Sequence, residues 1–543
     1  MDKTGKRFAL VTGAASGLGA SFARRLARER IGIVLVDRQG DRAREAAAEL
    51  EARFSVSTHV MAVDLTRPGA AKEVHARCEA LGLDIDILVN NAGYHLNQCL
   101  HELPWTAIED NLQLLLKVVL ELTHLFLPGM IARHSGRIIN VASMSGFMPG
   151  GIRLATYNAT KTFLIPFTEA LNFELMTTGV SATAVCPGFM RTELFVNSGI
   201  TDVRDSVPGF MWLQPDQVAD GAWKAAVEGR PLFVPGTVNR AIAAVAKFTP
   251  RRLLRERSRI FHRDARRRLA MKGPTAAGAA SGKRVALVTG ATSGIGASFS
   301  DVLAKEGFDL VLVGRGQEAV AKSTAELAGR HGIKAWGIVQ DLSEPCAAEA
   351  VWAKCQAFGL SIDVLVNNAG YPLTKPFHRM SWAEVDAAWQ VYIRSVVRLS
   401  HLAIPGMIAR GWGKVINISS LAAFEPGSCR SSLYSSSKAF QATFSESNAA
   451  ELEGTGVTVT AVCPGFTRTG WAAKSGPGNA SAPGPLWMES DEVARRGFKA
   501  AGRGVPLIVT ATLPMRIVSA MFQIAPRQLV GSFLSKKRAK NFQ

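Results

Sequence analysis

The chain has 543 residues, 47% of them hydrophobic and 20% charged, the balance of a folded globular protein and not of a disordered one. Seven scattered cysteines without a CxxC pair argue against a disulfide framework and for reduced thiols in a cytoplasmic setting, and no metal is expected. The formal charge of +19 is uneven: twelve Lys/Arg stand between Arg240 and Lys272 against only Glu256 and Asp264, and Lys536, Lys537, Arg538 and Lys540 end the chain. These basic tails read either as solvated helix faces or as a weak peripheral contact with an anionic membrane surface, and nothing in them specifies a nucleic acid.

Met1 to Lys6 leads straight into an apolar run, so no secretory leader is expected. In chain order, residues 8–12, 31–36, 59–63, 85–89, 137–142 and 181–186 are short apolar runs rich in β-branched side chains, separated by helical patterns of 10 to 20 residues. That alternation predicts an α/β fold with a parallel sheet covered on both faces, the doubly wound arrangement. The most apolar helical stretch, 112–130, carries Lys117, Glu121 and His124 and reads as a buried helix, not a membrane span.

The pattern then repeats. LVTGAASGLGASF from Leu10 recurs as LVTGATSGIGASF from Leu287, and DILVNNAGY from Asp86 recurs as DVLVNNAGY from Asp363. LPGMIAR from Leu127 matches IPGMIAR from Ile404, and AVCPGF occurs from both Ala184 and Ala461. All four pairs are displaced by 277 positions, so the copies align without net insertion. Between them, 273–282 is small, uncharged and rich in Gly and Ala, as a linker would be. The chain therefore divides into a doubly wound (Rossmann-fold) domain over 1–272 with a basic tail, a linker, and a second such domain over 283–543.

Three sets of residues carry chemistry. The turn TGAASGLG (12–19) follows a strand and opens a helix, placing Gly13, Ser16, Gly17, Leu18 and Gly19 where a bare backbone and a helix N-terminus can meet a diphosphate. Gly290, Ser293, Gly294, Ile295 and Gly296 repeat it. At the end of the second strand stands Asp37, suited to the two hydroxyls of a ribose; its counterpart is Gly314, followed by Arg315, suited to a ribose phosphate. The first copy is thus read as NAD-binding and the second as NADP-binding. The alternative is that each takes either cofactor, since Arg38 stands beside Asp37. Finally, Tyr157 and Lys161 lie one helical turn apart, 14 residues after Ser143, and Ser420, Tyr434 and Lys438 repeat the spacing. A cation beside a phenol favours the phenolate and so lets it move protons nearer neutral pH. Tyr371 and Lys375 match the same spacing, but Pro372 between them makes that match a loop.

TGxxxGxG, NNAG, Ser…YxxxK and a late PG, in this order and twice over, resemble the short-chain dehydrogenase/reductase family along nearly the whole of both copies. The resemblance implies two NAD(P)-dependent oxidoreductase sites that interconvert alcohols and ketones. In them Tyr157 and Tyr434 act as general acid/base, Ser143 and Ser420 orient the substrate oxygen, and Lys161 and Lys438 hold the nicotinamide ribose. It further implies that Asp64, Asp341, Asn91 and Asn368 flank the adenosine, and that Pro187, Gly188 and Thr192, with Pro464, Gly465 and Thr469, close over the nicotinamide. Both copies depart from the family where an Asn of the long central helix orders a relay water, for Leu115 and Tyr392 stand there. Asn111, one turn earlier, is either a substitute or a surface cap. Phe189, Met190, Leu194, Phe195, Phe210, Met211 and Trp212 in one copy, and Phe466, Trp471, Leu486, Trp487 and Met488 in the other, form a lid for a hydrophobic alcohol or ketone, or simply pack it down. Family members pair through the central and Tyr/Lys helices, so two fused copies could form a pseudo-dimer within one chain or a homo-oligomer between chains. Split cofactors would make the chain bifunctional, through consecutive redox steps or an epimerisation; the alternative is one active copy and one pseudoenzyme.

Overall fold

The computed structural model describes residues 7–191, 207–249, 251–261, 283–471 and 483–540; the linker and Thr192 lie outside them. The first copy runs β1 (Phe8–Thr12), α1 (Gly17–Arg28), β2 (Gly32–Asp37), α2 (Gly40–Phe54), β3 (Thr58–Ala62), α3 (Ala70–Ala80), β4 (Ile85–Asn90), α4 (Trp105–Leu112), α5 (Val118–Ala132), β5 (Gly136–Val141), α6 (Ala155–Glu174), β6 (Val180–Val185), α7 (Pro215–Val227), β7 (Leu232–Phe233), α8 (Thr237–Phe248) and α9 (Arg251–Phe261). The second runs β8 (Val285–Thr289), α10 (Gly294–Lys305), β9 (Asp309–Gly314), α11 (Gln317–His331), β10 (Ala335–Val339), α12 (Ala347–Ala357), β11 (Ile362–Asn367), α13 (Trp382–Trp389), α14 (Ser395–Ala409), β12 (Gly413–Ile418), α15 (Ser432–Glu451), β13 (Val457–Pro464), β14 (Thr467–Arg468), β15 (Met488–Glu489), α16 (Ser490–Gly502), β16 (Leu507–Thr510), α17 (Leu513–Ile524) and α18 (Arg527–Lys540).

Each copy builds a seven-stranded parallel sheet, in the orders β3-β2-β1-β4-β5-β6-β7 and β10-β9-β8-β11-β12-β13-β16. The expected doubly wound fold is present twice. Alternate residues of β1 explain the two layers of helices: Leu10 joins the core under α3, α5 and α6, whereas Ala9 and Val11 join that under α1, α2 and α7. The strand order reverses between β1 and β4, so a crevice opens at their carboxyl ends. The two-residue β7 is too short to be read from sequence; beyond the last strand of each copy lie the helices α8 and α9, and α17 and α18. The helix from Trp105 to Ala132 has the length and apolarity to cross a membrane, but most of it is buried inside the fold. All seven cysteines are free thiols.

The two copies pack along α6 and α15, related by a pseudo-two-fold that pairs residue with residue. Gly150 comes so close to α15 that a Cβ would stand 2.2 Å from the Ser447 nitrogen, and its counterpart Gly427 would meet the Pro166 oxygen at 2.2 Å. Charges follow the same symmetry. Lys117 pairs with Asp386 at 2.8 Å, and Arg394, its counterpart, pairs with Glu109 at 2.7 Å. Glu174 accepts the Phe377 and Arg430 amides at 2.7 and 2.9 Å, and Glu451 accepts the Leu100 amide at 2.9 Å.

The arms beyond the last strands cross over. Arg527 of α18 grips Glu169 of α6 through two hydrogen bonds of 2.7 Å, while Arg255, at 2.7 Å, and Arg251 of α9 grip Glu446 of α15. The basic run after Arg240 is therefore not simply a solvated face: two of its arginines are partners of a carboxylate with no exposed side-chain surface.

Burial pushes Glu174 up to about 7 and Glu451 up to about 8, against the pull of the amides that they accept. A carboxyl whose folded value lies above its unfolded one holds an extra proton when folded, so its stabilisation is lost as pH rises through the folded value. The urea midpoint should therefore fall between pH 5 and pH 8, with stability dropping by up to about 1.4 kcal/mol per pH unit for each carboxyl. In the Glu174→Gln, Glu451→Gln double variant the fall should flatten; a slope equal to that of the parent chain would contradict the assignment.

Candidate active sites

Both sites grow from the carboxyl ends of the strands. After β1 the chain turns at Gly13, whose φ of +64° favours glycine, and enters α1 past Gly17. Ser16 is extended, its hydroxyl does not cap the helix, and the first turn of α1 has no acidic residue, so those amides are available to an anion. A Cβ on Gly19 would lie 1.9 Å from the Gly13 oxygen, and one on Gly296 would lie 2.1 Å from the Gly290 oxygen. Leu18 is buried and Ile295 half-buried, anchoring each helix start. A cavity of about 320 Å³ opens beside the first turn, with Ser16, Gly17, Arg24 and Arg42 on its wall. The residues present thus fit a dinucleotide diphosphate.

The ends of β2 and β9, where the sequence places the adenosine ribose, differ between copies. Asp37 accepts the Ala15 amide on one oxygen and the Gln39 amide on the other, each at 3.0 Å. At Gly314 there is no carboxylate, and a Cβ there would meet Val320 and Thr292 at 2.9 and 3.0 Å. Arg315 is 70% exposed, with its guanidinium 3.8 Å from Asp341. Asp64 and Asp341 are each fixed through one oxygen, by Thr66 and Ser343 respectively. Asn91 and Asn368, expected to flank the adenosine, make structural contacts with the glycine turns. Their side-chain amides donate to Thr12 and Gly13, and to Thr289 and Gly290, so they brace the glycine turns from behind.

The candidate Ser, Tyr and Lys residues converge at the starts of α6 and α15. Ser143 follows β5 by two residues and its Oγ accepts the Ser145 amide at 3.1 Å; Ser420 accepts the Ala422 amide at the same distance. Burial raises the Tyr157 phenol, and its hydrogen bond with Ser143 partly offsets this. Lys161 donates to the Val141 carbonyl at 2.7 Å, 5.7 Å from the Tyr157 ring centre; Lys438 donates to the Ile418 carbonyl at 2.7 Å, 5.8 Å from the Tyr434 ring. Burial pulls the two ammonium groups down to about 8 and about 7. The Pro187 carbonyl accepts the Met144 amide, and Gly188 lies against the Asn239 side chain. In the other copy Pro464 ends β13, the Gly465 amide donates to Thr510, and Thr469 touches Gly294, bringing the lid onto the glycine turn.

A family model described as short chain dehydrogenase matches residues 7–201 and again 284–480. The chain belongs to the short chain dehydrogenase family. A very-long-chain 3-oxoacyl-CoA reductase of Homo sapiens is 34% identical over 193 residues, which cover 34% of this chain and 60% of that protein. An uncharacterized oxidoreductase of Staphylococcus saprophyticus is 35% identical over 196 residues, 36% of this chain and 82% of that one. Among solved structures, a short-chain dehydrogenase from Sphingobium yanoikuyae in complex with NADPH is 28% identical, covering 51% of this chain and 99% of its own, with a TM-score of 0.40.

The positions where the resemblance places a relay Asn are irregular in both copies. Leu115 and Tyr392 each sit within a π-helical turn, Gln113–Lys117 and Gln390–Arg394, that interrupts the central helix. The Tyr392 hydroxyl donates to the Tyr371 carbonyl and accepts the Tyr371 amide, which clamps the loop after NNAG. Its ring lies 4.9 Å from the Lys438 ammonium. Gln441 then spans the gap, accepting from Lys438 at 3.0 Å and donating to the Tyr392 carbonyl at 2.9 Å. Its counterpart in the first copy is Leu164, fully buried, so nothing equivalent links Lys161 to the Leu115 turn. Asn111 is not a surface cap: it is fully buried, donating to the Tyr94 carbonyl and accepting from Thr156. His95, whose ring meets Tyr157 edge-on at 5.2 Å, is a neighbour that sequence spacing does not flag; Pro372 replaces it in the second copy. Trp471 lies 5.4 Å from the Tyr434 ring and Phe466 5.4 Å from Trp487, while Leu194 and Phe195 lie outside the described residues.

Gly19→Ala should remove dinucleotide binding from the first half alone, and Gly296→Ala from the second alone, because each Cβ enters the space of its own turn. Titration of the full chain by quenching of tryptophan fluorescence should show one of two binding events lost in each variant. Retention of both events in either variant would contradict the placement.

Proposed function

We propose that both halves are nicotinamide-dependent oxidoreductases acting on alcohols and carbonyls of hydrophobic substrates, with NAD preferred by the first half and NADP by the second. One observation carries this reading: a buried lysine, fixed by a strand-end carbonyl, stands beside a tyrosine that follows a strand-end serine, and the arrangement occurs twice. The relatives' names, a 3-oxoacyl-CoA reductase and an oxidoreductase, agree with carbonyl reduction. The aromatic lid around Tyr434 supports an apolar substrate.

A nicotinamide bound here supplies or accepts the hydride at the carbinol carbon. In the reducing direction the tyrosine hydroxyl gives its proton to the carbonyl oxygen, the serine hydroxyl donates a hydrogen bond to that same oxygen, and the lysine ammonium stabilises the phenolate left behind. Oxidation reverses each step. Asp37 presents acceptors to two ribose hydroxyls and repels a phosphate, whereas Arg315, with glycine before it, attracts one. Cofactors of opposite redox poise would let one half oxidise an alcohol and the other reduce the ketone, in sequence or as an inversion of the carbinol.

A second reading has its own support. The Lys438 ammonium is held by both the Ile418 carbonyl and Gln441, which fits a second half that binds dinucleotide without turnover. Tyr157→Phe and Tyr434→Phe in the full chain, assayed on a panel of apolar ketones, separate the two readings. We expect Tyr157→Phe to lower NADH-linked reduction by about 100-fold or more with NADPH-linked reduction kept, and Tyr434→Phe to do the reverse. If Tyr434→Phe changes neither activity, the second half is the silent one. Loss of the same activity in both variants would contradict the division between cofactors.

A further inference from the structure

The arms that brace the interface also carry most of the exposed apolar surface. Of sixteen large hydrophobic side chains exposed among the described residues, ten belong to α8, α9, α17 and α18. They fall at helical spacings on one side of each helix: Val245 and Phe248, Ile517 and Met521, Leu529 and Phe533. The arms of the two halves adjoin, since α8 packs on α17 and the Lys247 ammonium donates to the Ala525 carbonyl. The result is one patch contributed by both copies, a concentration that a single soluble domain rarely exposes without use.

Its charge is as one-sided as its apolarity. Residues 237–261 hold seven Lys/Arg against Glu256 alone, and residues 513–540 hold six with no carboxylate at all. Arg251, Arg255 and Arg527 are consumed by Glu446 and Glu169, but Arg240, Arg252, Arg516 and Lys536 remain exposed. A second copy of the same face would bring cation against cation. A nucleic acid would leave the leucine, isoleucine and phenylalanine side chains unmatched. An anionic bilayer satisfies both, with acyl chains for the apolar stripe and headgroups for the cations. At 12 residues, α17 rises about 18 Å, too short to cross a hydrocarbon core of about 30 Å, so it would lie in the interface.

We propose that α8, α9, α17 and α18 together form a docking face for the surface of an anionic phospholipid bilayer. The placement has a functional consequence. α8 packs on residues 144–147, just after Ser143, and α17 packs on residues 421–424, just after Ser420, and on residues 484–486 of the lid. Docking would hold the mouths of both sites beside the bilayer, where an apolar substrate dissolves. The face does not rest on the cofactor assignment, and its test does not use turnover as the readout.

The test is sedimentation of the full chain with vesicles of phosphatidylcholine alone and of phosphatidylcholine mixed with phosphatidylserine. The parent chain should bind the mixed vesicles, less so as salt rises. Ile517→Asp with Met521→Asp, and separately Arg240→Glu with Arg516→Glu, should each weaken partitioning about tenfold. Circular dichroism and dinucleotide titration should match the parent chain in both variants. Equal binding to both vesicle types, or no loss in either variant, would overturn the proposal. So would light scattering that shows a dimeric parent chain and a monomeric Ile517→Asp, Met521→Asp variant, because a second copy would then cover the face.

Discussion

Two carboxylates and three arginines set the arrangement of this molecule. Glu169 and Glu446 sit on the helices that carry Tyr157 with Lys161 and Tyr434 with Lys438, and both are buried. Each is met by arginines from the other half, Arg527 for the first and Arg251 with Arg255 for the second. A buried carboxylate without such a partner costs several kcal/mol, so each arm stabilises the packing of the opposite half's helix. The same charges lie within electrostatic reach of Cys186 and Cys463, which in turn neighbour Lys161 and Lys438. The brace therefore stands directly behind each proton-transfer pair. Linking the copies covalently gives each arm a permanently high local concentration of its target.

Symmetry at the interface contrasts with divergence at the sites. Charged and glycine positions paired across the two-fold are kept as carboxylate with carboxylate (Glu169 with Glu446, Glu174 with Glu451, Glu109 with Asp386), Gly150 with Gly427, and Lys117 with Arg394. Around the chemistry, Asp37 faces Gly314, Leu115 faces Tyr392, Leu164 faces Gln441 and His95 faces Pro372. The substitutions lie at the end of the second strand, behind the lysine and beside the tyrosine. Two closely matched frames thus hold two different environments.

Much of this is legible in the sequence. Strand ends fall within one residue of those expected, because buried parallel strands show themselves as short apolar runs with glycine turns at fixed offsets. The Gly13–Gly19 turn and the Ser143, Tyr157 and Lys161 spacing are readable for the same reason: each is local. What escapes is non-local. Arg251 and Arg255 look solvated in sequence because their partner, Glu446, lies more than 190 positions away. Asn111 looks like a cap because its bonds run to Tyr94 and Thr156 in other elements. The π-helical turns at Leu115 and Tyr392 leave no mark in hydrophobic periodicity, since the helix there is buried on nearly every side and has no polar face whose phase could shift.

In the proposed function, one chain holds two complete and unlike dinucleotide sites. Isothermal titration of the full chain with NADH and with NADPH tests it directly. Two sites per chain are expected in total, the tighter NADH site abolished by Gly19→Ala and the tighter NADPH site abolished by Gly296→Ala. A single site per chain, or two sites with the same order of preference between NADH and NADPH, would contradict it.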